Sequence, residues 1–154
     1  MSNNLAINLL SAGWLLFLCL LWLYFFRQWH KLYRMKFWPI TQGNITSFNL
    51  RAEGTLLWPD IEYRYLVDGE EYVSAYLFAD TTHNTPGSQY SRRLAHRIAV
   101  AYQTGEAVDV YYNPTEPEQA VLDVRIPGKL KFIIILLSAL IVLEIGLLVV
   151  RLLV

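Results

Sequence analysis

The chain has 154 residues, 55% of them hydrophobic, and its 13 basic residues balance 13 acidic ones, so the formal net charge is zero. The hydrophobic fraction exceeds the value of about 45–50% that is usual in soluble domains. The neutral balance excludes a global field that would attract nucleic acid. Because Cys19 is the single cysteine, an intramolecular disulfide and a thiolate metal cluster are also excluded.

Two long apolar runs lie near the ends of the chain, at Leu5–Phe26 and Phe132–Val150, and neither contains Lys, Arg or Asp. At a rise of about 1.5 Å per helical residue, each run is long enough to cross a hydrocarbon core of about 30 Å. The first run exceeds the apolar core of a secretory signal peptide, and no small-residue cleavage pattern follows it. We therefore predict uncleaved transmembrane helices at 5–26 and 131–150.

The positive charges indicate how these helices are oriented. Seven Lys or Arg residues flank the inner ends of the two runs, whereas Arg151 alone lies at an outer end. Positive charge marks the cytoplasmic side, so we expect a multi-pass protein of a bacterial inner membrane, with a cytoplasmic central domain and both termini outside. Residues 27–38 place aromatic and basic side chains on opposite helical faces, which predicts a juxtamembrane amphipathic helix.

Residues 41–125 carry alternating patterns typical of strands. In β-type alternation, Ile61, Tyr63, Tyr65 and Val67 share one face and precede Asp68-Gly69. This dipeptide suits a two-residue type I′ turn, because that turn requires positive φ at both central positions. The segment therefore predicts a β-hairpin, preceded by a first strand that opens after Pro39 and ends near Gly54.

The second half of this region adds a helix and two more strands. Asp80–Tyr90 lacks periodicity and predicts a loop, after which Ser91 is the expected N-cap of an amphipathic helix that ends before Gly105. Alternation then predicts a strand from Val108 to Tyr112, a turn, and a last strand through Val124. The predicted class is α+β: two transmembrane helices flanking a small antiparallel sheet or partly open barrel with one helix.

These segments also carry a family resemblance. The run G-x-I-x-S from Gly43, the segment IEYRYLVDGEEY, and AYQTGEAVDVYYNPTEPEQAVL up to Leu122 resemble the mostly bacterial membrane family known as domain of unknown function three-five-nine-two. The resemblance implies a small β-rich domain tethered to the membrane. It implies no activity, no cofactor and no catalytic residues.

Glu144 lies inside the second apolar run, where a carboxylate costs about 2–3 kcal/mol on insertion scales. In an antiparallel helix pair we expect it at roughly the depth of Asn8 and Ser11, where these polar groups could join the two helices or two copies of the chain. A position near the outer headgroups and a role in a proton or ion pathway are the alternatives.

Three arginines, Arg92, Arg93 and Arg97, lie on the polar face of the predicted soluble helix. They could contact anionic lipid or an acidic partner, or form an ordinary solvated face. The abundant tyrosines fit cross-strand packing better than base stacking, because no basic stripe accompanies them. His30, His83 and His96 are not spaced as metal ligands, and no nucleophile or phosphate-binding motif is present.

The sequence therefore favours a non-catalytic membrane protein without a metal or cofactor, whose β-rich domain binds a protein partner as an accessory subunit or an immunity-type protein. Membrane lipids are the other expected partners, nucleic acid is not, and homo-oligomerisation stays open. The alternative is a small oligomeric transporter or channel component that uses Glu144.

Overall fold

The computed structural model describes residues 2–53, 56–79 and 88–153. These described residues form three helices and five strands, and the predicted fold class is confirmed: two apolar helices flank an antiparallel sheet that carries one helix. In chain order the elements are α1 (Ser2–Met35), β1 (Ile40–Glu53), β2 (Leu56–Val67), β3 (Glu70–Ser74), α2 (Gln89–Thr104), β4 (Val108–Asn113), β5 (Glu116–Val121) and α3 (Gly128–Leu153).

The chain divides into two compact units. The anchor unit comprises Met1–Lys31 and Gly128–Val154, and the β unit comprises Leu32–Pro127. Within the described residues, two helical segments are long and apolar enough to cross a membrane, Leu9–Met35 and Gly128–Arg151. Only 6% of each segment's most apolar window is buried, so these helices present their apolar side chains outward.

Helix α1 continues through most of the predicted juxtamembrane segment at 27–38 and ends at Met35. After its last residue the chain makes backbone hydrogen bonds between residues three apart, as in a 3₁₀ turn. The N–H groups of Lys36, Phe37 and Trp38 donate to the carbonyls of Tyr33, Arg34 and Met35, respectively. Pro39 follows, and the residue before a proline is disfavoured in helical conformation. The helix therefore stops three residues before the predicted boundary.

The sheet has the strand order β3-β2-β1-β4-β5, and all four pairings are antiparallel. The long strand β1 lies at its centre and pairs with both β2 and β4. Gly43 of β1 faces Tyr65 on one side and Val108 on the other. This position leaves no space for a side chain: a Cβ on Gly43 would lie 2.7 Å from Val110 Cγ2 and 2.8 Å from the Arg64 carbonyl oxygen.

The β2–β3 hairpin is confirmed. Asp68 and Gly69 have φ values of 52° and 89°, both in the left-handed region that a type I′ turn requires. The predicted inward face is buried throughout, and Tyr63 and Tyr65 are among the most deeply buried side chains described. The second strand of the hairpin, β3, ends at Ser74, and Tyr76 beyond it is exposed.

Side-chain hydroxyl groups connect the two edges of the curved sheet. Ser74 Oγ donates to the Ala120 carbonyl at 3.0 Å, and the Tyr65 hydroxyl donates to the Pro117 carbonyl at 2.6 Å. The Tyr63 hydroxyl lies 2.9 Å from the Ala120 carbonyl oxygen. These contacts bring β2 and β3 close to β5, so the sheet forms a half-barrel around its tyrosine-rich core.

Helix α2 begins earlier than predicted. Ser88, and not Ser91, is the N-cap: its Oγ accepts the Ser91 N–H at 3.1 Å. The helix ends as predicted before Gly105, whose φ of 70° gives a left-handed C-cap. Most of the predicted Asp80–Tyr90 loop, residues 80–87, lies outside the described residues, and its last two residues belong to α2.

The last strand also differs from the prediction. Strand β5 starts at Glu116 and ends at Val121, so the turn contains only Pro114 and Thr115. The predicted extension to Val124 does not form: the pairing with β4 ends at Val121, and Asp123 instead makes an isolated parallel bridge to Phe78.

Candidate binding cleft

A cleft of about 320 Å³ lies in the β unit between α2, β4 and the segment after β5. Its walls combine apolar side chains with several ionisable groups. The lining residues central to its chemistry are Tyr90, Arg97, Glu106, Asp109 and Asp123. Apolar side chains such as Leu94 and Ile98 form its base and belong to the hydrophobic core.

Asp123 is the most unusual group in this cleft. Its Oδ1 accepts the Tyr90 hydroxyl at 2.8 Å, whereas Oδ2 is buried and has no hydrogen-bond partner among the described residues. Burial raises the pKa of this carboxyl above its ordinary value, and its interactions with the Tyr90 hydroxyl and the Arg125 backbone N–H, together with the positive charges of Arg125 and Arg97, only partly offset the effect. Asp123 therefore lines the cleft with one buried oxygen that no described residue pairs.

Tyr90 contacts both Arg125 and Asp123 at this end of the cleft. The Arg125 guanidinium lies 4.0 Å from the centre of the Tyr90 ring, a cation–π contact. Burial, followed by the bond to Asp123, raises the pKa of Tyr90 to about 12, so its hydroxyl stays protonated and donates at neutral pH. Tyr90, Asp123 and Arg125 thus form a connected set of side chains.

The other end of the cleft is more open. Asp109 Oδ1 accepts the Gln42 amide at 2.6 Å, which fixes the carboxylate on the exposed side of β4. Glu106 is exposed nearby on the α2–β4 connection, and Arg97 is the cation that lines the α2 side. Three carboxyl groups and the Arg97 guanidinium line the cleft, and the Arg125 guanidinium lies beside Tyr90. This excess of carboxyl groups favours a ligand that brings hydrogen-bond donors or positive charge.

A second cleft, of about 420 Å³, lies on the β2 and β3 side of the β unit and is lined by Arg51, Trp58, Asp60 and Tyr76 among others. The buried unpaired acceptor of the described residues is in the α2–β4 cleft. Among all the described residues, no three His, Cys, Asp or Glu side chains converge as a metal-binding group. We therefore take the α2–β4 cleft as the candidate site.

A family model described as "Domain of unknown function (DUF3592)" matches residues 41–127, more than half of the chain. The chain belongs to this DUF3592 family. The resemblance identified from Gly43 to Leu122 is confirmed, and the match covers nearly all of the β unit, including the cleft. No match is found among curated proteins or solved structures.

The three predicted intramembrane polar residues, Glu144, Asn8 and Ser11, lie outside the DUF3592 match and belong to the anchor unit. Trp22 Nε1 donates to Ser138 Oγ at 2.9 Å, and an Arg151 guanidinium N–H donates to Ser11 Oγ at 2.9 Å. These two bonds set the antiparallel register of α1 and α3. Glu144 lies midway between Ser138 and Arg151 along α3, and Phe17 lies midway between their partners Trp22 and Ser11 along α1. Glu144 is therefore at about the level of Phe17.

Ser11 is therefore level with Arg151 and not with Glu144. Glu144 is half-buried. The side chain of Asn8 is not among those that the structure describes. Of the three arginines predicted as lipid or partner contacts, Arg97 lines the cleft, whereas Arg92 and Arg93 are exposed on α2 and do not line it.

The sequence does not point to Tyr90, Asp123 or Arg125. Tyr90 lies within the segment predicted as a loop, and Asp123 within the segment predicted as a strand. They are 33 residues apart, so only the packing of α2 against the end of β5 brings them together.

Proposed function

We propose that this DUF3592 protein is a non-catalytic membrane protein, whose β domain binds a protein partner through the α2–β4 cleft while α1 and α3 anchor it. The observation that carries the proposal is the buried, unpaired Asp123 Oδ2 in a cleft with two further carboxylates. A lysine, arginine or amide donor from the partner would pair with this oxygen and relieve its desolvation. An accessory subunit or an immunity-type protein would act by such binding.

We also propose a bacterial inner membrane as the location, with the β domain in the cytoplasm and both termini outside. The charge distribution supports this orientation, since Arg27, Lys31, Lys129 and Lys131 lie at the inner ends of the apolar runs and Arg151 alone at an outer end.

Site-specific photo-crosslinking of the full-length protein in cells tests the partner-binding role. A photoreactive residue at Val100, which lines the cleft, should give one discrete adduct with a second protein. The matched control is Val73, which is similarly exposed but lies on the edge strand β3. The same adducts at both positions, or adducts only with the chain itself, would argue against a partner in this cleft.

The partner identified by crosslinking should then be purified and its affinity for full-length variants measured. Asp123→Asn replaces the unpaired acceptor with an amide donor, so we expect affinity to fall about tenfold, the effect of losing one charged hydrogen bond. Asp60→Asn, an exposed substitution on β2, should leave affinity unchanged. Equal affinities for both variants would remove Asp123 from the binding site.

A further inference from the structure

A second, different cavity lies in the anchor unit between α1 and α3. It is a groove of about 300 Å³ lined by Trp22, Phe26, Trp29, Lys131, Ile134 and Ile135. The surface of this groove is apolar, and Lys131, near the start of α3, is the residue of its lining that carries a charge.

The α1 wall of this groove is held in a defined geometry. The rings of Trp22 and Phe26 stack with centroids 4.7 Å apart and planes 11° apart, and Phe26 contacts Trp29 at 5.7 Å. The hydrogen bond from Trp22 to Ser138 fixes the indole against α3, and Ser138 Oγ in turn donates to the Ile134 carbonyl at 2.8 Å. Such a preformed apolar wall binds a flexible chain at a low cost of reorganisation.

The charged residues that neighbour the groove lining in sequence are of one sign. Arg27 is adjacent to Phe26, Lys31 follows Trp29 by two residues, and Lys129 precedes Lys131 by two. No acidic residue occurs in the sequence from 17 to 38 or from 128 to 143. Basic sites between membrane helices attract anionic lipid headgroups, so the charge complements a phosphate and not a second cationic surface.

We propose that this groove binds one anionic phospholipid, with an acyl chain along the aromatic wall and the phosphate paired with Lys131. The inference rests on the proposed membrane anchoring by α1 and α3. A second copy of this chain is a weaker candidate for the groove, because a symmetric contact would bring another set of cations against Arg27, Lys31 and Lys131.

Native mass spectrometry of the full-length protein in mild detergent tests this proposal. Titration with phosphatidylglycerol should give a one-to-one adduct at least about fivefold tighter than phosphatidylcholine, the effect expected of one basic side chain near a lipid phosphate. Lys131→Gln should remove this preference, whereas Lys129→Gln, which changes the same charge outside the groove lining, should keep most of it. Equal binding of both lipids, or equal losses in both variants, would overturn the proposal.

A pair of tryptophan substitutions tests the apolar part of the site. Ile134→Trp fills the groove and should weaken the phosphatidylglycerol adduct about as strongly as Lys131→Gln. Leu136→Trp is the control, because Leu136 is 48% exposed and does not line the groove. Unchanged lipid binding by Ile134→Trp, or its replacement by dimers of the chain, would show that no acyl chain occupies this groove.

Failure of lipid binding can be distinguished from failure of the proposed function. Resistance of the full-length protein to alkaline extraction from membranes reports anchoring, and the Val100 adduct reports the partner. If both hold while phosphatidylglycerol and phosphatidylcholine bind equally, only the lipid-site proposal is wrong.

Discussion

At the scale of single residues, Gly43 is the position where the fold tolerates least change. The close approach of Val110 Cγ2 and the Arg64 carbonyl leaves no room for a methyl group between β1 and its two neighbours. We expect Gly43→Ala to destabilise the β domain by about 2 kcal/mol, the typical effect of overpacking. The thermal midpoint of the full chain in mild detergent, followed by near-ultraviolet circular dichroism, should fall by roughly 10 °C.

The neighbouring substitution Asn44→Ala is the control for Gly43→Ala, because Asn44 lies on the same strand with an exposed side chain. It should change the thermal midpoint by no more than a degree or so. Similar midpoints for the two variants would mean that β1 can move away from β4 without loss of packing.

Asp123 should make the stability of the β domain depend on pH. Its folded-state pKa is raised above 3.8 by burial, so the folded state favours the protonated carboxyl. This contribution is fully present below pH 3.8 and is lost as pH rises through the folded-state pKa. We therefore expect the thermal midpoint of the natural protein to fall with rising pH relative to that of Asp123→Asn, which keeps an acceptor for the Tyr90 hydroxyl.

The measurement is the difference in thermal midpoint between Asp123→Asn and the natural protein at a series of pH values from 3 upward. Asp60→Asn, on the exposed face of β2, is the control for a general loss of one negative charge. If both variants follow the natural protein in parallel over the whole series, the burial of Asp123 does not govern its ionisation.

At the scale of elements, the hydroxyl contacts between the sheet edges determine whether the half-barrel stays closed. Removing the Tyr65 hydroxyl leaves the Pro117 carbonyl without this donor, so Tyr65→Phe should destabilise the domain by about 1–2 kcal/mol. Tyr76→Phe should have little effect, since Tyr76 is exposed. Hydrogen–deuterium exchange should show faster exchange in β5 of the Tyr65 variant, and unchanged exchange there would mean that backbone packing alone closes the edge.

The elements that can be predicted from sequence are those specified locally. The Asp68-Gly69 turn and the alternation before it define the hairpin within a dozen residues, and Gly105 alone marks the end of α2. The start of α2 lies three residues before its predicted position. The apolar residues of this amphipathic helix begin at Leu94, and Ser88 and Ser91 before it both suit an N-cap, so the local pattern does not choose between them.

What cannot be predicted depends on contacts between distant segments. The sheet order places β1 between β2 and β4, which no local pattern specifies. The bond between Tyr90 and Asp123 likewise arises only when α2 packs beside the end of β5, so the candidate cleft is visible only in three dimensions.

At the scale of the whole molecule, the chain enters and leaves the β domain through apolar helices, so orientation decides which compartment the cleft faces. We expect the β domain in the cytoplasm, because seven Lys or Arg residues flank the inner helix ends and translocating them is unfavourable. Single cysteines in a Cys19→Ser background test this in spheroplasts with a membrane-impermeant maleimide. A cysteine appended after Val154 should react in intact spheroplasts, whereas Asn44→Cys should react only after lysis. The reverse pattern would place the cleft outside and restrict its partner to extracytoplasmic proteins.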